Sequence, residues 1–343
     1  MSEGSNARPI VALGAGNIVR EAHIPAYRAL GYRYAGFFDL DEEQATRSCA
    51  LAGSGEVFDS LDDALTTDPS AIYDIAVPAP AIADLLRQIP RGSGVLIQKP
   101  LGRTLAEADE LVAIATEREL RAAVNFQLRT APNMVAIFEA IERGEFGTLL
   151  ELQVTIRLHT PWEHWTFLRG IPRMEVLYHS IHYVDLFRHL LGDLTLDSAR
   201  LLGDPRLPDY AETRSSLSFV APAHPHLRCR IETNHRHAFG DRDAISELRL
   251  EGTEGAAIAR MGVNLAYPDG VADRLERSDG EGGWTDVPLR GSWFPTAFEG
   301  PMAALQAWVA GGPPAPTAVT DARETMRLLE EIYQTAAPPR GDA

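Results

Sequence analysis

A lysine follows an apolar run in the first third of the chain, an unusual place for a charged side chain. Residues 95–97 read Val-Leu-Ile and are followed by Gln98, Lys99 and Pro100. Proline favours an extended backbone in the residue before it, so the predicted strand ends at Lys99 and its ammonium projects from the strand end. There the ammonium could hydrogen-bond the oxygen of a reacting carbon, or exchange its proton if its pKa is lowered. The alternative is a surface lysine that extends into solvent.

A glycine-containing loop follows the first predicted strand. Gly14 would permit a tight turn, and the missing side chain of Gly16 would let a pyrophosphate approach the start of the next helix. Free N–H groups and the helix dipole favour an anion there. Asn17 and Ile18 follow in the loop, and Val19 occupies the third glycine position of the usual dinucleotide fingerprint. Two of the three glycines of that fingerprint are therefore present.

An acidic residue ends the second predicted strand. Asp39 stands 25 residues after Gly14, where a carboxylate that hydrogen-bonds the ribose 2′-hydroxyl is expected. No arginine follows Asp39 directly to receive a 2′-phosphate, so NAD is favoured over NADP. The alternative is that the glycines only turn the chain and that Asp39 caps the next helix. The glycine loop and the aspartate together predict NAD binding.

A polar stripe lies on a helix predicted over residues 175–191. Tyr178, His182, Asp185 and His189 recur at spacings of four, three and four, beside an apolar stripe, which predicts a half-buried helix with a polar seam. His182 is the preferred general acid or base, with Asp185 one turn later able to hold or charge its ring, and Tyr178 shares the task. The alternative is a histidine that only satisfies a local hydrogen bond.

Histidines are concentrated in the second half of the chain, where nine of the ten lie between residues 159 and 237. His179 and His182 are three apart on the predicted helix, and His235 and His237 alternate along a predicted strand. These four side chains could meet around zinc or manganese. Because no fixed ligand motif is present, they are interpreted as neighbours of a polar pocket, and no metal is assigned.

An aromatic loop precedes the predicted helix. Trp162 and Trp165 could pack against the apolar CH faces of a sugar ring, and Arg169 or Arg173 could bind a hydroxyl or carboxylate. Ordinary core tryptophans are an equally good interpretation. The residues predicted to contact substrate are Lys99, Trp162, Trp165, Arg169, Arg173, His179 and His182.

Two regions of different secondary structure are expected. Residues 9–126 alternate apolar strands with periodic helices, which predicts a parallel sheet covered on both faces. The strands are expected at residues 10–13, 34–38, 72–77, 95–97 and 122–126. Ser60 and Thr104, each followed three residues later by an acidic residue, are predicted helix caps. Strand-like segments then follow one another without intervening helices, which predicts an antiparallel or mixed sheet. We therefore expect two domains, residues 1–126 for cofactor binding and residues 127–343 for substrate binding and oligomerisation.

Composition limits the classes of function. The formal charge of −16 and the absence of a run of basic residues argue against a nucleic-acid partner. Two distant cysteines give neither a disulfide framework nor a metal motif. The first eight residues carry no apolar core of a signal peptide, and no apolar run approaches the roughly 20 residues that span a bilayer. A cytoplasmic location is expected.

The glycine loop, the Gln98-Lys99-Pro100 triplet and residues 180–185 (Ser-Ile-His-Tyr-Val-Asp) together resemble motifs of the Gfo/Idh/MocA oxidoreductases. The resemblance covers roughly residues 9–336. It implies an α/β Rossmann domain followed by an α+β domain with a large, mostly antiparallel open sheet. It also implies hydride transfer between NAD or NADP and a carbohydrate or polyol.

The resemblance assigns further roles and shows two departures. Lys99 and His182 fall on the family's lysine and histidine, but Gln98 replaces a glutamate and Tyr178 stands where an aspartate is expected. The resemblance also implies that Pro78, Asn125 and Gln127 lie near the cofactor. The residues predicted to contact NAD are Gly14, Gly16, Asn17, Ile18, Asp39, Pro78, Lys99, Asn125 and Gln127.

The sequence is interpreted as an NAD-dependent dehydrogenase of a sugar, polyol or related hydroxylated compound, for example an aldose oxidised at its anomeric carbon. Two alternatives stay open. One is an enzyme of this scaffold that uses tightly held NAD transiently to eliminate or hydrolyse a glycoside. The other is a non-catalytic NAD sensor, suggested by Gln98 and Tyr178 in place of two acids. By analogy with the family, a homodimer or homotetramer is expected.

Overall fold

The computed structural model describes residues 7–265, 270–281 and 283–336. The chain forms two compact units. Unit 1 comprises Met1–Ala131 and Phe294–Met326, and unit 2 comprises Pro132–Trp293 and Arg327–Ala343. The sequence predicted that all of residues 127–343 form the second domain. In the structure, Phe294–Met326 lies with unit 1 instead. The first six residues of the segment interpreted as lacking a signal peptide lie outside the described residues.

Six parallel strands form the sheet of unit 1. They are β1 (Ile10–Leu13), β2 (Tyr34–Phe38), β3 (Glu56–Val57), β4 (Ile72–Ile75), β5 (Gly94–Ile97) and β6 (Arg121–Val124). Their order is β3-β2-β1-β4-β5-β6, so the strand order reverses between β1 and β4. Every residue of β1, β4 and β5 is buried, as expected for strands covered on both faces. The predicted Rossmann sheet is confirmed.

Unit 2 is built on a second sheet of eight strands. They are β7 (Leu149–Arg157), β8 (Thr195–Leu202), β9 (Arg214–Val220), β10 (Arg228–Asn234), β11 (Ile245–Gly252), β12 (Ala256–Arg260), β13 (Arg274–Ser278) and β14 (Thr285–Asp286). Their order is β14-β13-β12-β11-β7-β10-β9-β8. Neighbouring strands are antiparallel except β7 and β10, which are parallel. The predicted mostly antiparallel sheet is confirmed.

Helices cover the sheets. The α-helices of the described residues are α1 (Ile24–Ala29), α2 (Glu42–Ala52), α3 (Leu61–Thr66), α4 (Ile82–Gln88), α5 (Leu105–Glu117), α6 (Pro132–Glu142), α7 (Ile181–Leu191), α8 (Glu299–Val309) and α9 (Val319–Ala336). Five-residue π-helices precede two of them, at Val19–His23 before α1 and at Val176–Ser180 before α7. Across the described part of the chain, none of the helices combines the length and apolar character that a membrane crossing requires.

Two helices of unit 1 start at the caps that the sequence predicts. The Thr104 hydroxyl accepts a hydrogen bond from the Glu107 N–H at 3.2 Å, at the start of α5. The Ser60 hydroxyl accepts from the Asp63 N–H at 3.1 Å, at the start of α3. Each cap satisfies a backbone donor that the helix itself leaves without a partner.

Helix α8 explains why a late segment belongs to unit 1. Its residues Met302, Leu305 and Val309 join the buried core of the first sheet. Gly94 of β5 lies directly beneath α8, because a Cβ built on this glycine would lie 2.6 Å from Val309 Cγ1. The apolar periodicity of α8 indicates that one face is buried but does not identify the sheet it covers.

The helix predicted over residues 175–191 differs from expectation in two ways. Its first turn is the π-helix Val176–Ser180, in which the Ile181 N–H reaches the Val176 carbonyl. Every residue from Ile181 to Phe187 is buried. The predicted polar seam is therefore partly exposed only at its ends, at Tyr178 and His189, whereas His182 and Asp185 in its middle are buried.

Candidate active site

The glycine loop after β1 has two glycines with different structural roles. Gly14 has φ +91°, and a Cβ there would lie 2.5 Å from the Ala76 carbonyl oxygen. A side chain at this position would both strain the backbone and clash with Ala76, the residue that follows β4. At Gly16 a Cβ would meet no heavy atom within 4 Å. The backbone therefore requires glycine only at Gly14, while Gly16 leaves open space in front of the π-helix Val19–His23, as a pyrophosphate needs.

Asp39 connects the end of β2 to the glycine loop. Its carboxylate accepts hydrogen bonds from the Ala15 N–H at 2.7 Å and the Asp41 N–H at 2.9 Å. The next residue, Leu40, is 97% exposed. The Asp39 carboxylate suits the hydroxyl groups of a ribose, and the exposed Leu40 side chain suits an adenine ring. A 2′-phosphate would need a cation at the position that Leu40 occupies.

The remaining loop residues are held by local contacts. Arg20 donates one hydrogen bond to the Ala15 carbonyl oxygen at 2.6 Å and another to Asn17 Oδ1 at 2.5 Å. Ile18 packs against the buried core of the first sheet. The loop is therefore shaped before any ligand binds.

Lys99 is the only lysine in the chain, since the other 31 of the 32 Lys and Arg residues are arginines. It follows β5 by two residues, and its N–H donates to Gln98 Oε1 at 2.8 Å. Burial removes water from the ammonium and lowers the pKa of Lys99 from its usual value to about 8, although the residue keeps partial exposure. A guanidinium would stay protonated here, so among the 32 Lys and Arg side chains only Lys99 can release its proton near neutral pH.

A buried polar network that the sequence interpretation missed lies behind Lys99. The amide nitrogen of Gln98 and that of Asn125 each approach His23 Nε2 at 3.3 Å, and His23 Nδ1 lies 2.7 Å from Asp74 Oδ2. Because Gln98 Oε1 accepts from the Lys99 N–H, its NH₂ group faces His23, whose Nε2 accepts. His23 therefore carries its proton on Nδ1 and donates it to Asp74. Asp74 within an otherwise apolar strand was the available signal, because a buried carboxylate needs a partner.

Two polar residues after β6 keep acceptors available. Asn125 Oδ1 and Gln127 Oε1 are buried and have no hydrogen-bond partner among the described residues. Such acceptors suit an amide donor, for example the carboxamide of nicotinamide. Pro78, the third position predicted from the resemblance, directly precedes the short helix Ala79–Ala81 after β4. The open space at Gly16, the Asp39 carboxylate and these acceptors fit NAD.

The predicted acid–base residues of unit 2 lie at the start of α7. His182 is buried and meets the Trp293 ring edge-on, with centroids 5.6 Å apart. Asp185, one turn later, is also buried. Tyr178 lies in the preceding π-helix and makes an edge contact with Phe167 at 5.5 Å. These placements leave the catalytic assignments as predictions.

The predicted substrate residues of the aromatic loop have other structural partners. Trp162 is buried in a small core with Leu168 and Met174, and Trp165 packs against it. Arg169 pairs with Asp209 at 2.8 Å on the surface. The core interpretation of Trp162 is thus supported, and its substrate contact stays a prediction.

Arg173 is held more firmly than Arg169. Its two terminal nitrogens bind the Glu330 carboxylate at 2.6 and 3.0 Å, and its guanidinium lies 4.8 Å from the centre of the Tyr333 ring. A substrate would have to displace Glu330 to reach it. The hydrogen bonds from Arg173 to Glu330 raise the pKa of Arg173.

Two of the four histidines considered as metal ligands come together. The rings of His179 and His235 lie 4.2 Å apart between centroids, and the Glu175 carboxylate joins them. His182 and His237 do not belong to this group among the described residues. Glu175 was not predicted, although its position four residues before His179 on a helix was a visible signal.

The fold and the glycine loop define a Rossmann-type nucleotide-binding protein. The model of the oxidoreductase family, NAD-binding Rossmann fold (GFO_IDH_MocA), matches residues 9–126. These residues therefore match the NAD-binding Rossmann domain of the Gfo/Idh/MocA oxidoreductases, which confirms the predicted resemblance.

Relatives match a larger part of the chain. The 1,5-anhydro-D-fructose reductase of Ensifer adhaerens is 26% identical over 311 residues, which cover 89% of each chain. An oxidoreductase from Agrobacterium radiobacter, solved with NAD+, L-tartaric acid and magnesium, shares the fold with TM-score 0.80 and 18% identity over 98% of both chains. A levoglucosan dehydrogenase, solved with NADH and levoglucosan, gives TM-score 0.76 and 17% identity over 96% of this chain and 97% of that one.

Cofactor preference provides a test of Asp39. We expect Asp39→Ser combined with Leu40→Arg to lower kcat/KM with NAD and to raise it with NADP, so that the ratio of the two values changes at least about tenfold. The reason is that the carboxylate proposed to bind the ribose is removed and a cation that can bind a 2′-phosphate is added. Initial rates with both cofactors measure the ratio. Asp41→Ala is the matched control, since Asp41 caps α2 through the Glu43 N–H but is not predicted to reach the ribose. An unchanged ratio in the double variant would remove Asp39 and Leu40 from the ribose site.

Proposed function

We propose that the chain transfers a hydride between NAD and a CH–OH carbon of a sugar, polyol or related hydroxylated small molecule. The NAD-binding family match supports the cofactor. The names of the relatives, an anhydrofructose reductase and a levoglucosan dehydrogenase, support a cyclic carbohydrate as the substrate class.

The observation that carries this proposal is the single lysine of the chain. The other 31 Lys and Arg positions are arginines, which stay protonated at neutral pH. Lys99 is the exception, because burial lowers its pKa to about 8. Oxidation of an alcohol removes one proton from oxygen, and a group with a pKa near the working pH transfers a proton efficiently. Lys99 is therefore proposed as the catalytic residue that holds the substrate oxygen and exchanges its proton.

NAD supplies the hydride acceptor when it is bound. The residues of the chain bind, orient and manage the proton. The Gln98 side chain fixes the backbone N–H of Lys99 and rests against His23, so Lys99 is anchored to the buried network. We propose His182 as the second acid–base group, with Tyr178 assisting it. His179, Trp162, Trp165, Arg169 and Arg173 are retained as proposed substrate contacts.

The assembly and location of the protein are also proposals. We propose a homodimer or homotetramer in the cytoplasm, with no nucleic-acid or membrane partner. The support is the acidic charge of the chain, together with analogy to the family. Light scattering of the purified chain measures the assembly, and a monomer at micromolar concentration would contradict it.

A carbohydrate panel tests the proposed reaction. Aldoses, anhydrosugars and polyols are incubated with NAD or NADP, and reduced cofactor is followed by absorbance. We expect NAD-dependent turnover of at least one cyclic sugar, with a loss of about 10²-fold or more in His182→Asn, because an acid–base group is removed. The purified variant is first compared with the native chain by circular dichroism and NAD binding.

Two other results would replace the proposal. Product formation from a glycoside with no net change in NAD would favour elimination or hydrolysis through transient oxidation. Saturable NAD binding without turnover of any compound in the panel would favour an NAD-sensing role.

A further inference from the structure

A compact cluster of potential metal ligands lies in unit 2, around the π-helix Val176–Ser180. Glu175 precedes this helix, His179 lies within it, and His235 follows β10. One potential ligand atom of each residue lies within 4.8 Å of the others, and Glu175 Oε1 is 3.2 Å from His235 Nε2. Glu175 and His235 are fully buried, whereas His179 keeps partial exposure. The cluster is thus enclosed on two sides, with solvent access along His179.

The surrounding groups orient the ligands in the way that metal sites require. Thr160 Oγ1 lies 2.7 Å from His235 Nδ1, which leaves the opposite nitrogen, Nε2, directed at the cluster. The Ser180 hydroxyl donates to Glu175 Oε1 at 2.6 Å. Metal-binding histidines usually donate their other ring N–H to an oxygen, and ligating carboxylates are themselves hydrogen-bonded. The hydrogen bond from Ser180 to Glu175 is of this kind, and Thr160 Oγ1 lies within hydrogen-bond distance of His235 Nδ1.

The charge around the cluster favours a cation. Glu175 Oε2 is buried without a hydrogen-bond partner in the part of the chain that the structure describes. A second buried carboxylate, Glu212, accepts a hydrogen bond at 2.8 Å from the N–H of Met174, the residue next to Glu175. The nearby Arg173 is paired with Glu330. An enclosed carboxylate of this kind needs a compensating positive charge.

We propose that Glu175, His179 and His235 bind one divalent transition metal of the zinc class. Two imidazoles and one carboxylate form a common zinc set that leaves a fourth position for water or a ligand. Magnesium is disfavoured because it prefers oxygen ligands. Ligand atoms bonded to one tetrahedral zinc at about 2.0–2.2 Å lie roughly 3.4 Å apart, so ligand atoms of this cluster that are up to 4.8 Å apart would approach one another by as much as about 1.4 Å. Because His179 is also a proposed substrate contact, this inference bears on the proposed substrate site. Zinc content is measured without substrate, so failure of the metal proposal and failure of the dehydrogenase proposal remain distinguishable.

The alternative explanation is that a proton, and not a metal ion, balances the negative charge of Glu175. A protonated His235 would also balance Glu175, with Nε2–H donating to the carboxylate and Nδ1–H to Thr160. The two accounts differ in zinc content, because an imidazolium cannot ligate a metal and an ion pair needs none.

Metal content decides between them. The full, tag-free chain is stripped with EDTA, incubated separately with Zn²⁺ or Mg²⁺, passed through a desalting column and analysed by mass spectrometry of its metals. We expect about one zinc per chain and no retained magnesium, as for a mixed nitrogen and oxygen donor set. Co²⁺ in place of Zn²⁺ should give the visible absorption of a four- or five-coordinate site.

Variants assign the ligands. His179→Gln is chosen first, since partial exposure of His179 makes misfolding less of a concern, and it should weaken zinc binding at least about tenfold. Glu175→Gln should do the same. His226→Gln, at an exposed histidine, is the matched control and should retain native zinc binding. Thermal unfolding and NAD binding of each variant verify the fold. Absence of retained zinc in the native chain, or native zinc binding in His179→Gln and Glu175→Gln, would overturn the proposal.

Discussion

Replacing Lys99 with alanine is expected to lower kcat/KM by about 10²- to 10⁴-fold, the range found when a group that transfers a proton is removed. The physical reason is that no neighbouring arginine can take over, because a guanidinium does not release its proton at neutral pH. Initial rates with NAD and the substrate identified in the carbohydrate panel measure the loss. NAD titration of the same variant verifies that it still binds the cofactor.

The pH profile gives Lys99 a second, independent signature. Alcohol oxidation needs the neutral amine as base, and burial lowers the pKa of Lys99 to about 8. Oxidation by the native chain should therefore accelerate as the pH rises through about 8 and then level off, whereas reduction should slow over the same interval. The residual oxidation rate of Lys99→Ala should not show this rise with pH.

Lys99→Arg is the matched control for charge. It keeps a cation that can hydrogen-bond an alkoxide but removes a proton that can leave near neutral pH. If proton exchange is the main role of Lys99, the arginine variant should be nearly as slow as the alanine variant. Substantial activity in Lys99→Arg would assign Lys99 to charge stabilisation alone, and full activity in Lys99→Ala would remove it from the reaction.

The second large effect is expected at Gly14. Gly14→Ala should lower the free energy of unfolding by about 2–5 kcal/mol, because it combines a backbone conformation that disfavours a side chain with overpacking. The new Cβ would lie 2.5 Å from a backbone oxygen, Ala76 O, which cannot rotate away. Denaturant unfolding in the absence of NAD measures the change.

Gly16→Ala is the companion variant, because a Cβ at Gly16 meets no heavy atom of the protein within 4 Å. Its unfolding free energy should stay within about 0.5 kcal/mol of the native value, as for a surface substitution. Its affinity for NAD should fall by about tenfold or more, since the methyl group would occupy the approach of the pyrophosphate. Native NAD affinity in Gly16→Ala would place the pyrophosphate elsewhere.

Local sequence rules predict the first sheet well. The strands β1 and β2 have their expected bounds, and β4, β5 and β6 differ by at most two residues at either end. Buried parallel strands are short apolar runs ended by Gly, Pro or a polar residue, so their limits are visible in the sequence. The caps at Ser60 and Thr104 belong to the same kind of local information.

Long-range partners are less visible. The attachment of α8 to the first sheet depends on the space above Gly94, and the polar strand β8 carries little apolar alternation. The contact between His23 and Asp74 joins residues 51 apart in sequence. The cluster of Glu175 and His235 joins residues 60 apart. Such pairs arise from tertiary packing, so residue spacing along one helix or strand could suggest candidates but not their partners.

The presence of a single lysine also makes Lys99 the only ε-amine that a chemical label can reach. Reductive methylation with ¹³C-formaldehyde would place a reporter on this nitrogen and on the α-amino group, and their separate resonances would titrate independently in NMR spectra. The proton affinity of Lys99 could then be read directly in the free chain and with NAD bound, without any substrate. One side chain out of 343 residues thus gives the protein a built-in spectroscopic probe.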